Sequence, residues 1–207
     1  MSHLDDSIYL QLISSAYMTQ IALFGTSADP PTVGHQSIVR WLGKNYDQVA
    51  VWAADNPFKE HGATLSQRYE MLQLMVDDLE QSNIILDEKL GDRRSLNTVN
   101  IAKEIWGEET EYLLVIGSDL AAQIPRWYRA KDLLAKVTLL IFPRKGYPIP
   151  PEALKQITNL KGNWQKANYT PPPVSSTKYR TDGENHLVIG AIADYIERNN
   201  LYPKLEA

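Results

Sequence analysis

At 207 residues the chain has the length of one domain, or of one domain with an appendage, and can bury roughly 70% of the surface its unfolded form exposes. Its hydrophobic fraction is 43%, its formal net charge is −4, and no run of Lys or Arg forms a basic stripe. This balance does not suggest a nucleic-acid or anionic-membrane partner, but a locally positive pocket can still take an anionic small molecule. The absence of cysteine excludes disulfides, thiolate zinc sites and cysteine nucleophiles.

The first residues, "MSHLDDSIYL", are acidic and unlike a signal peptide. Ile8, Leu12 and Ala16 have helical spacing, so residues 1–18 are expected to form a short helical extension ahead of a main domain spanning 19–207. Nearly continuous apolar runs follow at 21–25, 49–54, 84–86, 112–117 and 137–142. Runs of this kind suit strands of a parallel sheet covered on both faces. Between them lie helical patterns. In 65–79, Leu65, Tyr69, Leu72, Val76 and Leu79 share a face, with Thr64 and Gln67 as a capping box. Segments 96–106 and 186–199 are further helices. The stretch 143–173, rich in Pro, Gly and Lys, is read as a long connection holding a helix near 151–157 and a strand near 163–168. The alternation predicts an α/β fold: a Rossmann-like doubly wound parallel sheet with helices on both faces and right-handed crossovers. No apolar run approaches the ~20 residues of a membrane span, and the chain reads as cytoplasmic.

Ligands of such folds bind at the carboxyl ends of the strands, where the strand order reverses. The loop "GTSADPPTVGH", residues 25–35, occupies that position after the first strand and leads into a helix. The positive end of that helix and its free N–H groups favour an anion. A second polar cluster, "VSSTKYR" at 174–180, follows three prolines. Its hydroxyls and its permanently charged guanidinium suit phosphate, although Ser and Thr before a helix also serve as ordinary caps. The histidines His3, His35, His61 and His186 show no metal-ligand spacing.

Together the two clusters resemble the paired T/H-x-G-H and I-S-S-T-x-x-R signatures of the nucleotidyltransferase α/β phosphodiesterase superfamily. Within it, the chain resembles the bacterial-type nicotinate-nucleotide adenylyltransferases. "NPFK" (56–59), "LSQRYEML" (65–72), "LLVIGSDLAAQIPRWYRAKDLL" (113–134), "FPRKGY" (142–147) and "YIERNNLYP" (195–203) agree with that resemblance, which covers about residues 20–203. Three departures stand out. Thr26, Ser27 and Ala28 replace the usual Gly, Thr or Ser, and Phe, Thr32 replaces a histidine, and "SLNT" replaces Ser-Tyr-Thr.

The resemblance implies adenylyl transfer from ATP to nicotinate mononucleotide, giving deamido-NAD and pyrophosphate in NAD biosynthesis. It implies Mg²⁺ on the ATP phosphates and no metal held by protein side chains. His35 and Arg180 would be catalytic. Gly25, Thr26, Ser27, Thr32, Gly34, His35, Gly117, Asp119, Ser176, Thr177 and Arg180 would bind ATP. Ser27, Lys59, Thr98 and Trp127 would bind the mononucleotide, with Trp127 stacked on the pyridine ring. Each has an ordinary alternative: a local helix-start contact for His35, a solvated loop for Lys59, core packing for Trp127. The rival functions are a nicotinamide-mononucleotide or dual-specificity adenylyltransferase and a catalytically silent nucleotide-binding module. The partners expected are these small molecules, with no nucleic acid or membrane; a homo-oligomer is left open.

Overall fold

The computed structural model describes residues 18–55 and 60–203. The helical extension expected before Met18 lies outside the described residues. Six strands form one parallel sheet: β1 (Gln20–Thr26), β2 (Gln48–Ala53), β3 (Ile84–Leu86), β4 (Glu111–Gly117), β5 (Thr138–Phe142) and β6 (Asn163–Lys166). Among the described residues seven α-helices connect and close it: α1 (Val33–Asn45), α2 (Leu65–Asp77), α3 (Ser95–Trp106), α4 (Ala130–Leu134), α5 (Pro151–Asn159), α6 (Ser176–Asp182) and α7 (Gly190–Arg198). Consecutive residues Val49–Ala53 and Tyr112–Ile116 are all buried. Side chains alternate between faces along a strand, so both faces of the sheet are covered.

The strand order is β3-β2-β1-β4-β5-β6, with every pairing parallel. The chain winds outward from β1 to β3, then crosses back to place β4 on the other side of β1. The reversal point is therefore the β1–β4 boundary. There the pairing runs only from Gln20–Glu111 to Leu23–Leu114. β1 stays paired to β2 as far as Thr26–Ala53, and β4 to β5 as far as Gly117–Phe142. The carboxyl ends of β1 and β4 are thus not paired with each other, and it is at such a reversal point that an open α/β sheet has its ligand crevice.

Two elements differ from the sequence reading. The pattern at 186–199 is not one helix: a 3₁₀ turn at Asn185–Leu187 precedes α7. Leu187 and Val188 are adjacent and both buried, and Val188 is extended, which lets neighbouring side chains enter the core where a helix would rotate one of them away. Likewise α2 stops at Asp77, two residues short of the expected end, and Leu79 reaches the core from the turn that follows.

Arg68, on the inner face of α2, is 1% exposed. Its Nη1 donates to the backbone carbonyls of Ser27 and Ala54, both at 2.9 Å, and Nη2 donates to Asp55 at 3.4 Å. One guanidinium therefore holds the ends of β1 and β2 where their ladder hydrogen bonds stop. Replacing it by an apolar chain leaves two carbonyls without donors. Arg68→Met is expected to cost about 2–4 kcal/mol in urea denaturation, and Arg68→Lys, lacking the planar fork, to recover only part of it.

Candidate active site

The crevice wall on the β1 side is the loop 27–32. Thr32 is the N-cap of α1 and His35 sits three residues on. The backbone N–H of Thr32 donates to His35 Nδ1 at 3.0 Å, and Thr32 Oγ1 lies 2.9 Å from the same nitrogen. An N–H can only donate, so Nδ1 is the unprotonated nitrogen and the neutral ring carries its hydrogen on Nε2. The ring takes the place that Glu or Gln has in an ordinary capping box. The Phe24 ring lies 6.4 Å away, centroid to centroid. The outcome is a fixed imidazole with a defined donor at the start of a helix, where the backbone amides also favour negative charge.

The 174–180 cluster packs directly on this loop, although the two are far apart in the chain. Ser176 Oγ donates to the carbonyl of Pro30 at 2.8 Å. Arg180 Nη1 donates to the carbonyl of Asp29 and lies 3.4 Å from Asp29 Oδ2. A Cβ on Gly34 would come within 2.8 Å of Val174 Cγ2, so the absence of a side chain there is what lets the two clusters meet. The cap of α6 is Ser175, whose Oγ accepts from Lys178 N–H at 3.1 Å. Ser176 and Thr177 follow in the first turn.

Gly25 and Thr26 end β1, Ser27 follows them, and Gly117 ends β4 across the crevice. Asp119 lies in the 3₁₀ turn after Gly117 and pairs with Arg144 Nη1 at 2.8 Å. Trp127 caps the next turn, half-buried against the core. Beside it Tyr128 is exposed, with the Arg94 guanidinium 4.0 Å from its ring centroid. Thr98 is not on the open face. It is 1% exposed and its hydroxyl donates to the Leu90 carbonyl at 3.0 Å, so its role here is to anchor α3. Thr32 is also buried, at 2%, with its hydroxyl turned to His35 rather than to solvent. Lys59 lies outside the described residues. Among the described residues no group of three or more His, Asp or Glu side chains is placed to hold a metal ion. A cavity lined by Trp41, Tyr46, Gln165 and Lys166 is built on α1 and the β5–β6 edge, away from the β1–β4 crevice.

The residue that sequence reasoning missed at the centre of this site is Asp29, 2% exposed. Its Oδ2 accepts from Gly62 N–H at 3.0 Å, and its Oδ1 from Ala63 N–H at 3.1 Å and the Tyr202 hydroxyl at 2.7 Å. His61 Nδ1 is 3.6 Å from Oδ2. Burial, then the Arg68 guanidinium, push the His61 pKa below its ordinary value; the Asp29 and Asp55 carboxylates oppose them. The Tyr202 hydroxyl is pushed upward by its burial and by the Asp29 carboxylate it donates to, so it remains a donor. In the sequence Asp29 had no signal beyond its place between a strand end and two prolines.

A parallel sheet ordered 3-2-1-4-5-6, with a Gly-His helix start and a Ser-Thr-Arg helix start joined at its switch point, defines a nucleotide-binding α/β protein of the nucleotidyltransferase class. The chain belongs to the cytidylyltransferase-like family, whose model matches residues 23–182. It is 44% identical over 197 residues to a probable nicotinate-nucleotide adenylyltransferase of Synechocystis, a match covering 88% of this chain and 98% of the relative. A probable nicotinate-nucleotide adenylyltransferase of Sulfurovum is 29% identical over 183 residues, covering 86% of this chain and 93% of its own. The fold is similar to that of the Plasmodium falciparum nicotinic acid mononucleotide adenylyltransferase complexed with NaAD. The TM-score is 0.76 at 20% identity, over 89% of this chain and 97% of that one.

The depressed His61 pKa fixes the sign of a pH effect. Above the unfolded value, ~6.5, His61 is neutral in both states and its contribution is fully present. As pH falls from there through the lower folded value, the unfolded chain takes up the proton first and stability is lost. Denaturation at pH 7.5 and 5.5 is expected to show a smaller difference for His61→Gln than for the wild type.

Proposed function

We propose that the protein is a nicotinate-nucleotide adenylyltransferase, joining ATP and nicotinate mononucleotide into deamido-NAD with release of pyrophosphate. The observation that carries this reading is the junction of His35, Ser176 and Arg180 around residues 29–32, at the carboxyl end of β1. The names of the Synechocystis and Sulfurovum relatives support the choice of substrates.

In this reading ATP lies over the start of α1 with its β- and γ-phosphates between Arg180 and the first turn of α6, where Thr177 and the backbone at Ser176 face them while the Ser176 hydroxyl holds the Pro30 carbonyl. A phosphate oxygen of the mononucleotide attacks the α-phosphorus. The new P–O bond forms as the bond from that phosphorus to the bridging oxygen breaks, and the electron pair leaves with pyrophosphate. The attacking phosphate is already largely dianionic near neutral pH, so no general base is needed. Catalysis rests on alignment and on donors aimed at the developing charge. His35 supplies one from Nε2, its tautomer set by Thr32 N–H. Mg²⁺ enters with ATP as part of the substrate, coordinated by phosphate and water. Trp127 offers a face to the pyridine ring, Lys59 a charge to the mononucleotide phosphate, and Gly117 and Asp119 line the ribose side. Gly25, Thr26 and Ser27 form the floor. Thr98, its hydroxyl committed to Leu90, plays no direct part in holding the pyridine carboxylate.

Pyrophosphate release with MgATP and each mononucleotide tests the assignment. The rate is expected to be greater with nicotinate than with nicotinamide mononucleotide; equal or greater efficiency with the nicotinamide form overturns the substrate choice. His35→Ala is expected to lower kcat by ~10²–10³, the loss of one donor to developing charge, with a much smaller change in ATP affinity. Near-normal turnover in that folded variant overturns the role given to the loop.

A further inference from the structure

Residues 201–203, after the last helix, reach back into the site. Tyr202 has a left-handed backbone, φ 53°, which turns its side chain inward. Its ring packs edge-on to Tyr179 of α6 at 6.1 Å between centroids. Atoms of the same ring lie 2.7–2.8 Å from where a Cβ on Gly62 would stand, a place left open only because that residue is glycine. Its hydroxyl donates to Asp29 Oδ1 at 2.7 Å. Asp29 in turn faces Arg180 twice, through its backbone carbonyl and through Oδ2. Three side chains from distant parts of the chain thus form one line: Tyr202, Asp29, Arg180.

We propose that Tyr202 is a positioning residue of the nucleotide site: through the Asp29 carboxylate it sets the pose of Arg180 and so the strength of ATP binding. The proposal rests on Arg180 as a phosphate ligand, as in the function proposed above. The physical basis is the shape of the carboxylate's surroundings. Oδ1 is held by Ala63 N–H and the Tyr202 hydroxyl, and Oδ2 by Gly62 N–H, with His61 and Arg180 beside it. With the hydroxyl gone, one buried oxygen has a single donor left. The carboxylate can then rotate to recover charge from Arg180, drawing the guanidinium into the loop and away from the phosphates. With the hydroxyl present, Asp29 needs less from Arg180, and the remaining donors of the guanidinium stay available to a ligand.

The test is a double-mutant cycle on binding of a non-hydrolysable ATP analogue with Mg²⁺, measured by calorimetry on the full chain. Tyr202→Phe keeps the ring and its packing and removes only the hydroxyl. It is expected to weaken analogue binding about 3- to 30-fold, which lies inside the range of coupling within one hydrogen-bond network. In the Arg180→Ala background the same change is expected to have no further effect, and the KM for the mononucleotide is expected to stay put. A merely structural role would weaken binding equally in both backgrounds, and that result overturns the proposal. So does wild-type binding by Tyr202→Phe while Arg180→Ala is weakened. Wild-type binding by Arg180→Ala overturns the phosphate role of Arg180 and this proposal with it.

Discussion

A carboxylate almost cut off from water has to find its compensation inside the protein, and Asp29 finds it in three separate stretches of chain. Two backbone N–H groups come from 62–63, a hydroxyl from Tyr202, and a guanidinium from α6. An uncompensated buried charge costs several kcal/mol, so these stretches cannot leave without severe loss. The requirement makes a loop of turn residues, on its own a floppy element, into a fixed surface. The catalytic scheme asks for that property: donors already in place before charge develops.

The same economy appears in the histidine. Cap and tautomer are settled by one contact, Thr32 N–H to His35 Nδ1, so the helix start and the donor cannot vary separately. Arg68 closes the third side by binding the carbonyls at the ends of β1 and β2. Each of these groups satisfies backbone atoms that the sheet or helix leaves without partners, and each does so on the ligand side of the molecule. Finishing the secondary structure and building the site are, at this end of the sheet, one set of interactions.

What could be read from the sequence follows from this division. The five apolar runs were legible because a strand buried on both faces must be apolar throughout, and the short polar β6 was placed only by its position in the long connection. The two polar clusters were legible because helix starts with Gly, His, Ser and Thr have few other uses at strand ends. Arg68 was hidden among the polar residues of an amphipathic helix, since a one-dimensional pattern does not say which polar side chain turns inward. Asp29, His61 and Tyr202 were hidden for a different reason: their meaning lies in partners between 32 and 173 residues away. Thr98 shows the converse. A motif position read as a ligand contact is filled by a hydroxyl that the fold already uses.

The parting of β1 from β4 has a mechanical consequence. Beyond Leu23 and Leu114 the sheet is two separately laced panels, β3-β2-β1 and β4-β5-β6, joined only along their lower halves. Spreading or narrowing the gap between the panels breaks no strand-to-strand hydrogen bond, because none spans it. The elastic resistance there comes from twisting the joined half and from side-chain contacts alone. The loop before His35 leaves β1 in one panel, and Gly117, Asp119 and the turn bearing Trp127 follow β4 in the other, while α1 touches the second panel through Trp41 on Phe142. The span between the two groups is thus set by side-chain packing rather than by a strand ladder, so a change in its width need not disturb the hydrogen bonds inside either panel.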